Sequence, residues 1–208
     1  GYIDLVMSGV EEPLSTHADH FEDAGAYGAA AYQKGALFLY QLEYVIGKPA
    51  FDQGLLDFFN TWKFKHPDDN DFIRVMEKSS GLELDWYRDY MVYSLKTVDY
   101  SVDTVFAYQE QSAIILERIR DMPMPIDVVI NTKAGTQLYY TIPLDIMRGA
   151  KEERGPDDKP YELLHDWNWV NPSYLFVVPF TPDQIQSVTI DPYMRMLDLD
   201  RENNVWAY

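Results

Sequence analysis

Residues 25–47 read GAYGAAAYQKGALFLYQLEYVIG, and very few of these positions are polar. Small residues fill the first turns, and bulky apolar residues follow them as far as Gly47. A helix that is apolar on almost every side is typical of the centre of a helical domain. We therefore predict a buried helix over about residues 29–46, ended by Gly47 with Pro49 just beyond it. Its first turn contains the phenol of Tyr32, which has either a packing role or a functional role.

Apolar spacing predicts three further helices after Gly47. The first has one apolar face, formed by Phe51, Leu55, Phe58, Phe59 and Trp62. The second has cap candidates at residues 68–71 and is ended by Gly81. The third covers about residues 83–94, with an inward face formed by Leu84, Tyr87 and Met91. Four helices joined by short turns are typical of a bundle, and residues 1–24 before them are predicted to be irregular.

From residue 100 the apolar period changes from 3.6 to 2, which is typical of strands with one buried face. Strands are predicted at residues 100–108, 112–120, 126–131, 136–144, 175–179, 186–190 and 204–207. The third and fourth form a hairpin, and a charged loop follows at residues 148–160. Short strands between turns favour an antiparallel β-sandwich. The predicted fold is α+β in two parts, a helical part at residues 1–97 and a β-sandwich domain at residues 98–208.

The chain of 208 residues carries 34 acidic and 17 basic side chains, a formal net charge of -17. This balance argues against a nucleic-acid partner, because phosphate backbones are bound by basic patches. No apolar run approaches the ~18 residues of a membrane-spanning helix, so no membrane span is predicted. The sequence contains no cysteine, which excludes disulfides, thiolate zinc ligands and a cysteine nucleophile.

Two segments contain the side chains of a metal site. His17, Asp19 and His20 are ligand types that zinc accepts, but the residues before them favour a loop, in which they serve as loop or cap residues. Residues 198–204 place oxygen side chains at alternate positions, as calcium loops do, without the glycine and distant glutamate of such loops. Turns in which a side chain hydrogen-bonds to the backbone explain that second segment equally well. We predict no metal site within the chain.

Two other groups allow both a structural and a chemical interpretation. Trp167 and Trp169 could stack a ligand, but an aromatic pair beside a strand is more often core. A second group could supply paired carboxylates for acid-base chemistry, and it consists of Glu83, Asp85 and Asp89. On an amphipathic helix such residues usually form the solvated face. We adopt the structural interpretation for both groups.

An ordered series of short motifs between residues 11 and 94 resembles a known protein family. The series includes Glu12-Pro13-Leu14, Tyr27, Tyr32-Gln33-Lys34-Gly35-Ala36, the WKFKHP segment at residues 62–67, Ser80-Gly81 and Trp86. It is similar to the aminopeptidase N family of zinc metallopeptidases (gluzincins), in the stretch that follows the zinc-binding helices. The later half of the chain looks like the β-sandwich that follows the catalytic domain in these enzymes.

The resemblance implies a role for two tyrosines. The family tyrosine that matches Tyr32 donates its hydroxyl to the oxyanion that forms when zinc-bound water attacks a peptide carbonyl. Tyr32 is therefore the expected catalytic residue. Tyr27 matches a second tyrosine found at the same spacing in some members, and it is the expected substrate-binding residue.

The resemblance also implies that the zinc ligands lie outside this chain. The family binds zinc through His-Glu-x-x-His and a later glutamate, and this sequence contains no His-Glu pair. We therefore expect a fragment of a zinc aminopeptidase, inactive alone, whose parent binds zinc upstream of residue 1. Its expected partners are a peptide substrate and the missing N-terminal part of the same protein.

Two other functions stay open from the sequence. The first is a non-catalytic binding or scaffold protein that keeps the peptidase-like fold without its chemistry. The second is an adhesion module of two domains, which the irregular residues 1–24 disfavour. Zinc ligands in the upstream sequence would distinguish the enzyme from the scaffold.

Overall fold

The first structural unit, Gly1–Lys96, is built from helices in the computed structural model, which describes residues 2–152 and 160–208. Its α-helices are α1 Tyr2–Ser8, α2 Ala24–Gly28, α3 Gly35–Ile46, α4 Lys48–Trp62, α5 Asp69–Ser80 and α6 Asp85–Tyr93. A π-helical turn, Ala29–Lys34, joins α2 to α3. Among the described residues, no helix has the length and apolar character needed to cross a membrane. The helical prediction is confirmed, but α1 shows that residues 1–24 are not irregular throughout.

The helix predicted to be buried on all sides is buried on only one. Its apolar inner side includes Ala26, Ala30, Leu42, Val45 and Ile46, all nearly inaccessible to solvent. Tyr27, Tyr32, Leu39 and Tyr40 are exposed instead, while the polar residues Lys34 and Gln41 are buried. The prediction of an all-round buried helix is therefore wrong for the described chain. Composition counts apolar residues and does not reveal which side of a helix meets its neighbours.

Helix α4 packs through only part of the face that the apolar spacing predicts, in which Phe58 and Trp62 are half-buried. Phe51 and Gly54 are its buried residues, while Leu55 and Phe59 of the predicted face are exposed. The cause is a close approach between α4 and α5 at Gly54. A Cβ atom placed on Gly54 would lie 2.5 Å from Met76 Sδ and 2.7 Å from Ser79 Oγ. The spacing of apolar residues does not reveal a contact face that is formed by a glycine.

Gly54→Ala is expected to lower the free energy of unfolding of the helical unit by about 1–3 kcal/mol, because the added methyl overpacks the contact with α5. Gly28→Ala is the matched control, since no atom lies within 4 Å of its Cβ position. That control should gain up to ~1 kcal/mol through helix propensity. Urea unfolding followed by circular dichroism measures both. Equal stability of the two variants would refute the close-packing account.

Helices α5 and α6 begin and end as the sequence predicts. Asp68 and Asp71 form a reciprocal capping box at the start of α5, and Gly81 ends it with a left-handed φ of 72°. The predicted inward residues of α6 are buried, namely Leu84, Tyr87 and Met91. The Tyr87 hydroxyl donates to the Phe38 carbonyl at 2.6 Å, which ties α6 to α3. The helical unit thus has its core between α3, α5 and α6.

The second unit, Thr97–Tyr208, consists of two sheets. The strands are β1 Tyr100–Tyr108, β2 Gln111–Arg118, β3 Ile126–Thr132, β4 Gln137–Ile142, β5 Glu162–Leu163, β6 Ser173–Val178, β7 Ile185–Ile190 and β8 Val205–Ala207. One sheet has the order β1-β2-β6 and the other β5-β4-β3-β7-β8. The rings of Tyr140 in β4 and Phe176 in β6 lie 5.8 Å apart, so the two sheets share a core.

The strand predictions are confirmed in position, with shifts of up to two residues at the strand ends, but β5 was not predicted. β2 ends at Arg118 rather than at residue 120, and the short β4–β5 pair is parallel, unlike the others. The predicted alternation of β1 holds only for its first half, because the register shifts between Val102 and Thr104 and a bulge changes which side chains face inward. Residues 153–159 of the predicted charged loop lie outside the described residues.

Candidate active site

The predicted catalytic residue lies in the π-helical turn. Asp23 caps α2 by accepting a hydrogen bond from the Ala26 amide at 2.9 Å. The Gly35 amide then bonds to the Ala30 carbonyl, five residues back, which is the pattern of a π-helix. The first half of this turn consists of three alanines, residues 29–31. Single π turns within α-helices occur frequently at functional sites.

Tyr32 projects from this turn into solvent. Its side chain is 79% exposed, although apolar residues surround it in the sequence. Tyr27 lies five residues earlier and is 44% exposed, with its ring edge-to-face against Phe21 at 5.4 Å. The helix therefore presents two accessible phenols, one of them steadied by an aromatic contact. An accessible phenolic hydroxyl can donate a hydrogen bond to an approaching ligand.

The opposite side of the same turn holds a buried ion pair. Lys34 Nζ lies 2.6 Å from Glu11 Oε1, and the two side chains are only 3% and 6% exposed. Tyr2 donates its hydroxyl to the same Glu11 oxygen at 3.1 Å, and burial together with this carboxylate raises the pKa of Tyr2. Lys34 Nζ also donates to the Ser94 carbonyl at 3.4 Å. The pair thus joins three segments of the helical unit.

This ion pair was not predicted from the sequence. A lysine within an apolar helix is the signal that could have revealed it, because a buried ammonium requires a partner. Glu11 lies 23 positions earlier in the sequence. No local spacing rule connects residues so far apart, so the partner could not be identified without the fold.

A cleft of about 500 Å³ opens beside the Asp23 cap. It is lined by Gly9, Val10, Glu11, Glu12, His20, Glu22 and Asp23. Most of its carboxylates already have local partners, since Glu12 accepts from the Glu22 amide at 3.0 Å and Asp23 caps α2. The cleft is negatively charged, but most of its carboxylates serve as hydrogen-bond or ion-pair partners within the fold.

The two sequence candidates for a metal site have structural roles. His17 Nδ1 accepts from the Asp19 amide at 3.3 Å, which caps a short 3₁₀ turn, as the cap interpretation predicts. Asp198 accepts from the amides of Tyr100 and Asp200, both at 3.0 Å. Within residues 2–152 and 160–208, no three potential ligand side chains converge on a point where they could hold a metal ion.

The structural interpretation of the other two groups is confirmed for Trp167 and for the carboxylates, whereas Trp169 is only half-buried. Trp167 is 2% exposed and packs against Tyr100 and Tyr174. The three carboxylates of α6 and the turn before it are exposed, namely Glu83, Asp85 and Asp89. Asp85 and Asp89 pair with Arg88 at 3.6 and 3.0 Å. Neither group belongs to the candidate site.

One buried carboxylate of the second unit has a strongly shifted pKa. Asp198 is 1% exposed, and burial raises its pKa to about 6, while the amides of Tyr100 and Asp200 act in the opposite direction. Nearby Asp99 also contributes to the increase. The native state therefore binds a proton between pH 4 and 6 that the unfolded chain releases. Native stability from this group is greatest below pH 4 and is lost as the pH rises to 6.

Asp198→Asn is expected to remove about 2–3 kcal/mol of this pH dependence, since each pKa unit corresponds to ~1.4 kcal/mol. The measurement is the free energy of unfolding at pH 4 and pH 7, compared between the variant and the wild type. Asp200→Asn, at an exposed carboxylate, is the matched control and should keep the wild-type slope. An unchanged slope in Asp198→Asn would contradict the assigned cause.

Comparisons with known proteins identify a matching family model and similar relatives. The family model described as Peptidase family M1 domain matches residues 4–91. A leukotriene A-4 hydrolase homolog from Botryotinia fuckeliana is 45% identical over 47 residues. Leucine aminopeptidase 2 from Sclerotinia sclerotiorum is 43% identical over 47 residues. Each match covers 23% of this chain but only 7% and 8% of the two relatives.

A solved structure extends the likeness to most of the chain. The crystal structure of Legionella pneumophila aminopeptidase A in complex with aspartic acid matches with a TM-score of 0.50 and 16% identity. The match covers 80% of this chain and 17% of that one, and at this identity it shows the fold alone. The resemblance to the aminopeptidase N family is thereby confirmed, because residues 4–91 match the Peptidase family M1 domain.

Proposed function

We propose that this chain is part of a zinc-dependent aminopeptidase, which removes amino-terminal residues from peptides. Within it, Tyr32 is the catalytic oxyanion donor and Tyr27 lines the substrate cleft. The chain supplies these tyrosines but no zinc ligands, and it is inactive alone. Its partners are a peptide substrate and the remainder of the same polypeptide.

The observation that carries this proposal is the exposure of Tyr32. The residue belongs to the segment that matches the M1 domain, yet it is 79% exposed on a helix whose inner side is closely packed. Tyr44 of the same helix is fully buried and serves packing, whereas Tyr32 contributes little to the core. Tyr32 thus projects from a packed helix with its hydroxyl accessible to a ligand.

The chemistry of such a donor is electrostatic. When a peptide carbonyl is attacked, negative charge develops on its oxygen, and a fixed hydroxyl donor stabilises that charge more than it stabilises the substrate. Tyr32 would donate to this oxygen, while Tyr27, five residues earlier, would contact the peptide from the same helix. The helix contributes by holding the donor in place before the charge forms.

The described residues do not fit the zinc ion that the family implies. Catalytic zinc sites use three protein ligands, and no such cluster occurs in the described part of the chain. The proposal therefore assigns the ion to the longer polypeptide. When bound there, zinc supplies an activated water as the nucleophile.

A metal experiment tests the proposal. The longer polypeptide should hydrolyse an aminoacyl-p-nitroanilide, lose this activity on chelation and recover it with added zinc. Residues 1–208 alone, dialysed against zinc and analysed by mass spectrometry, should retain only substoichiometric metal. Hydrolysis that survives chelation would refute the zinc mechanism. A longer polypeptide that neither binds zinc nor hydrolyses the substrate would favour a scaffold instead.

A further inference from the structure

Tyr32 and Lys34 lie on opposite sides of one turn. Residues two apart in a helix differ in direction by roughly 200° at 3.6 residues per turn. The exposures agree, because Tyr32 is 79% exposed and Lys34 only 2%. A contact that fixes Lys34 inward therefore also fixes the direction in which Tyr32 points outward.

The contact that holds Lys34 is directional and buried. Glu11 Oε1 lies 2.6 Å from Lys34 Nζ, and the Ser94 carbonyl accepts from the same nitrogen at 3.4 Å. Glu11 is held in turn by the hydroxyl of Tyr2. These segments approach the turn from separate parts of the helical unit, so rotation of Lys34 would break contacts to both.

The geometry of the π-helical turn explains how the Glu11–Lys34 contact can affect Tyr32. π-helices are rare and occur mostly as single turns inside α-helices, so α geometry is the competing conformation of this turn. Relaxation of the turn to α geometry would change the direction of every side chain in it. A buried ion pair two residues from Tyr32 opposes such relaxation, because neither charge can leave its partner without a large desolvation penalty.

We propose that Glu11 and Lys34 are positioning residues, which fix the orientation of the Tyr32 hydroxyl through the π-helical turn. This inference rests on the function proposed for Tyr32. Neither residue contacts the substrate in this account. Their role is to keep the donor within the narrow range of positions where it reaches the developing oxyanion.

The test is a double-mutant cycle in the longer polypeptide. The variant Glu11→Leu/Lys34→Met replaces both charges by apolar groups of similar length, which often preserves folding. We expect it to lower kcat by about 10-fold to 100-fold with little change in KM, since small misplacements of a catalytic group have effects of this size. In a Tyr32→Phe background, the same double change should alter kcat by less than about 2-fold, because there is no donor left to misplace.

The control is a surface ion pair of the same type. Lys48 and Asp52 lie 2.8 Å apart on α4 with both side chains exposed, and Lys48→Met/Asp52→Leu should leave kcat unchanged in both backgrounds. If the Glu11/Lys34 variant does not fold, Glu11→Gln/Lys34→Met takes its place in the cycle, because it removes both charges and keeps a side-chain oxygen that accepts from the Tyr2 hydroxyl.

Two results would overturn the inference while the proposed function stands. One is an equal loss of kcat in the wild-type and Tyr32→Phe backgrounds, which a merely structural role would produce. The other is no loss in the wild-type background. Wild-type activity of Tyr32→Phe itself would overturn the proposed function and this inference together.

Discussion

Tyr32→Phe in the longer polypeptide is expected to lower kcat by about 10²–10³-fold, with the zinc content unchanged. In the proposed mechanism the variant removes one hydroxyl that would donate to the developing oxyanion, and a single donor of this kind contributes about 2.7–4 kcal/mol to transition-state stabilisation. KM should change little, because the hydrogen bond strengthens only in the transition state. Steady-state kinetics together with metal analysis of the same samples provide the measurement.

Tyr40→Phe is the matched control for this variant. Tyr40 lies on α3, two turns beyond Tyr32, and is 47% exposed, so its substitution removes another accessible phenol from the same helical segment. We expect its kcat to stay within about 2-fold of the wild-type value, as is typical of surface changes. A similar loss in both variants would show that the helix surface in general, and not Tyr32 in particular, is required.

Lys34→Met is expected to lower the free energy of unfolding of the helical unit by about 3–5 kcal/mol. The substitution leaves the Glu11 carboxylate buried without its cation, and breaking one side of a buried pair has effects of this size. The Tyr2 hydroxyl remains as a donor to Glu11 and reduces the loss only in part. Urea unfolding of residues 1–208, followed by circular dichroism at the helical minimum, gives the value.

Two controls in this experiment separate the effect of a buried unpaired charge from the effect of losing a lysine. Glu11→Leu/Lys34→Met removes both charges and should recover most of the lost stability. Lys48→Met, at an exposed pair within α4, should change the stability by less than about 0.5 kcal/mol. If Lys34→Met were no more damaging than Lys48→Met, the pair would not be buried as the structure has it.

The sequence was sufficient where local chemistry determines the structure. Asp68 and Gly81 mark the ends of α5 because a side-chain cap and a left-handed glycine are local requirements. The hairpin between β3 and β4 follows from its turn, where Gly135 has a φ of 84°. In both cases the deciding residues lie within a few positions of each other, so the pattern is visible without the fold.

The sequence was insufficient where the deciding contact is distant. Gly54 sets the α4 face through Met76, and Lys34 depends on Glu11. The π-helical turn is also hidden, because an apolar stretch does not reveal a change in helical period. Of the candidate site, the motif around Tyr32 was recognisable by resemblance. Its exposure and the ion pair behind it required the three-dimensional structure.

The central claim, that Tyr32 stabilises a tetrahedral oxyanion, is tested most directly by a phosphinic peptide, which imitates that intermediate. Its Kd for the longer polypeptide should rise by about 10²–10³-fold in Tyr32→Phe, in parallel with the loss of kcat/KM, because such analogues report transition-state contacts. The Kd of the free amino acid product should stay within about 2-fold. A phosphinic peptide that binds Tyr32→Phe as tightly as the wild type would contradict the account.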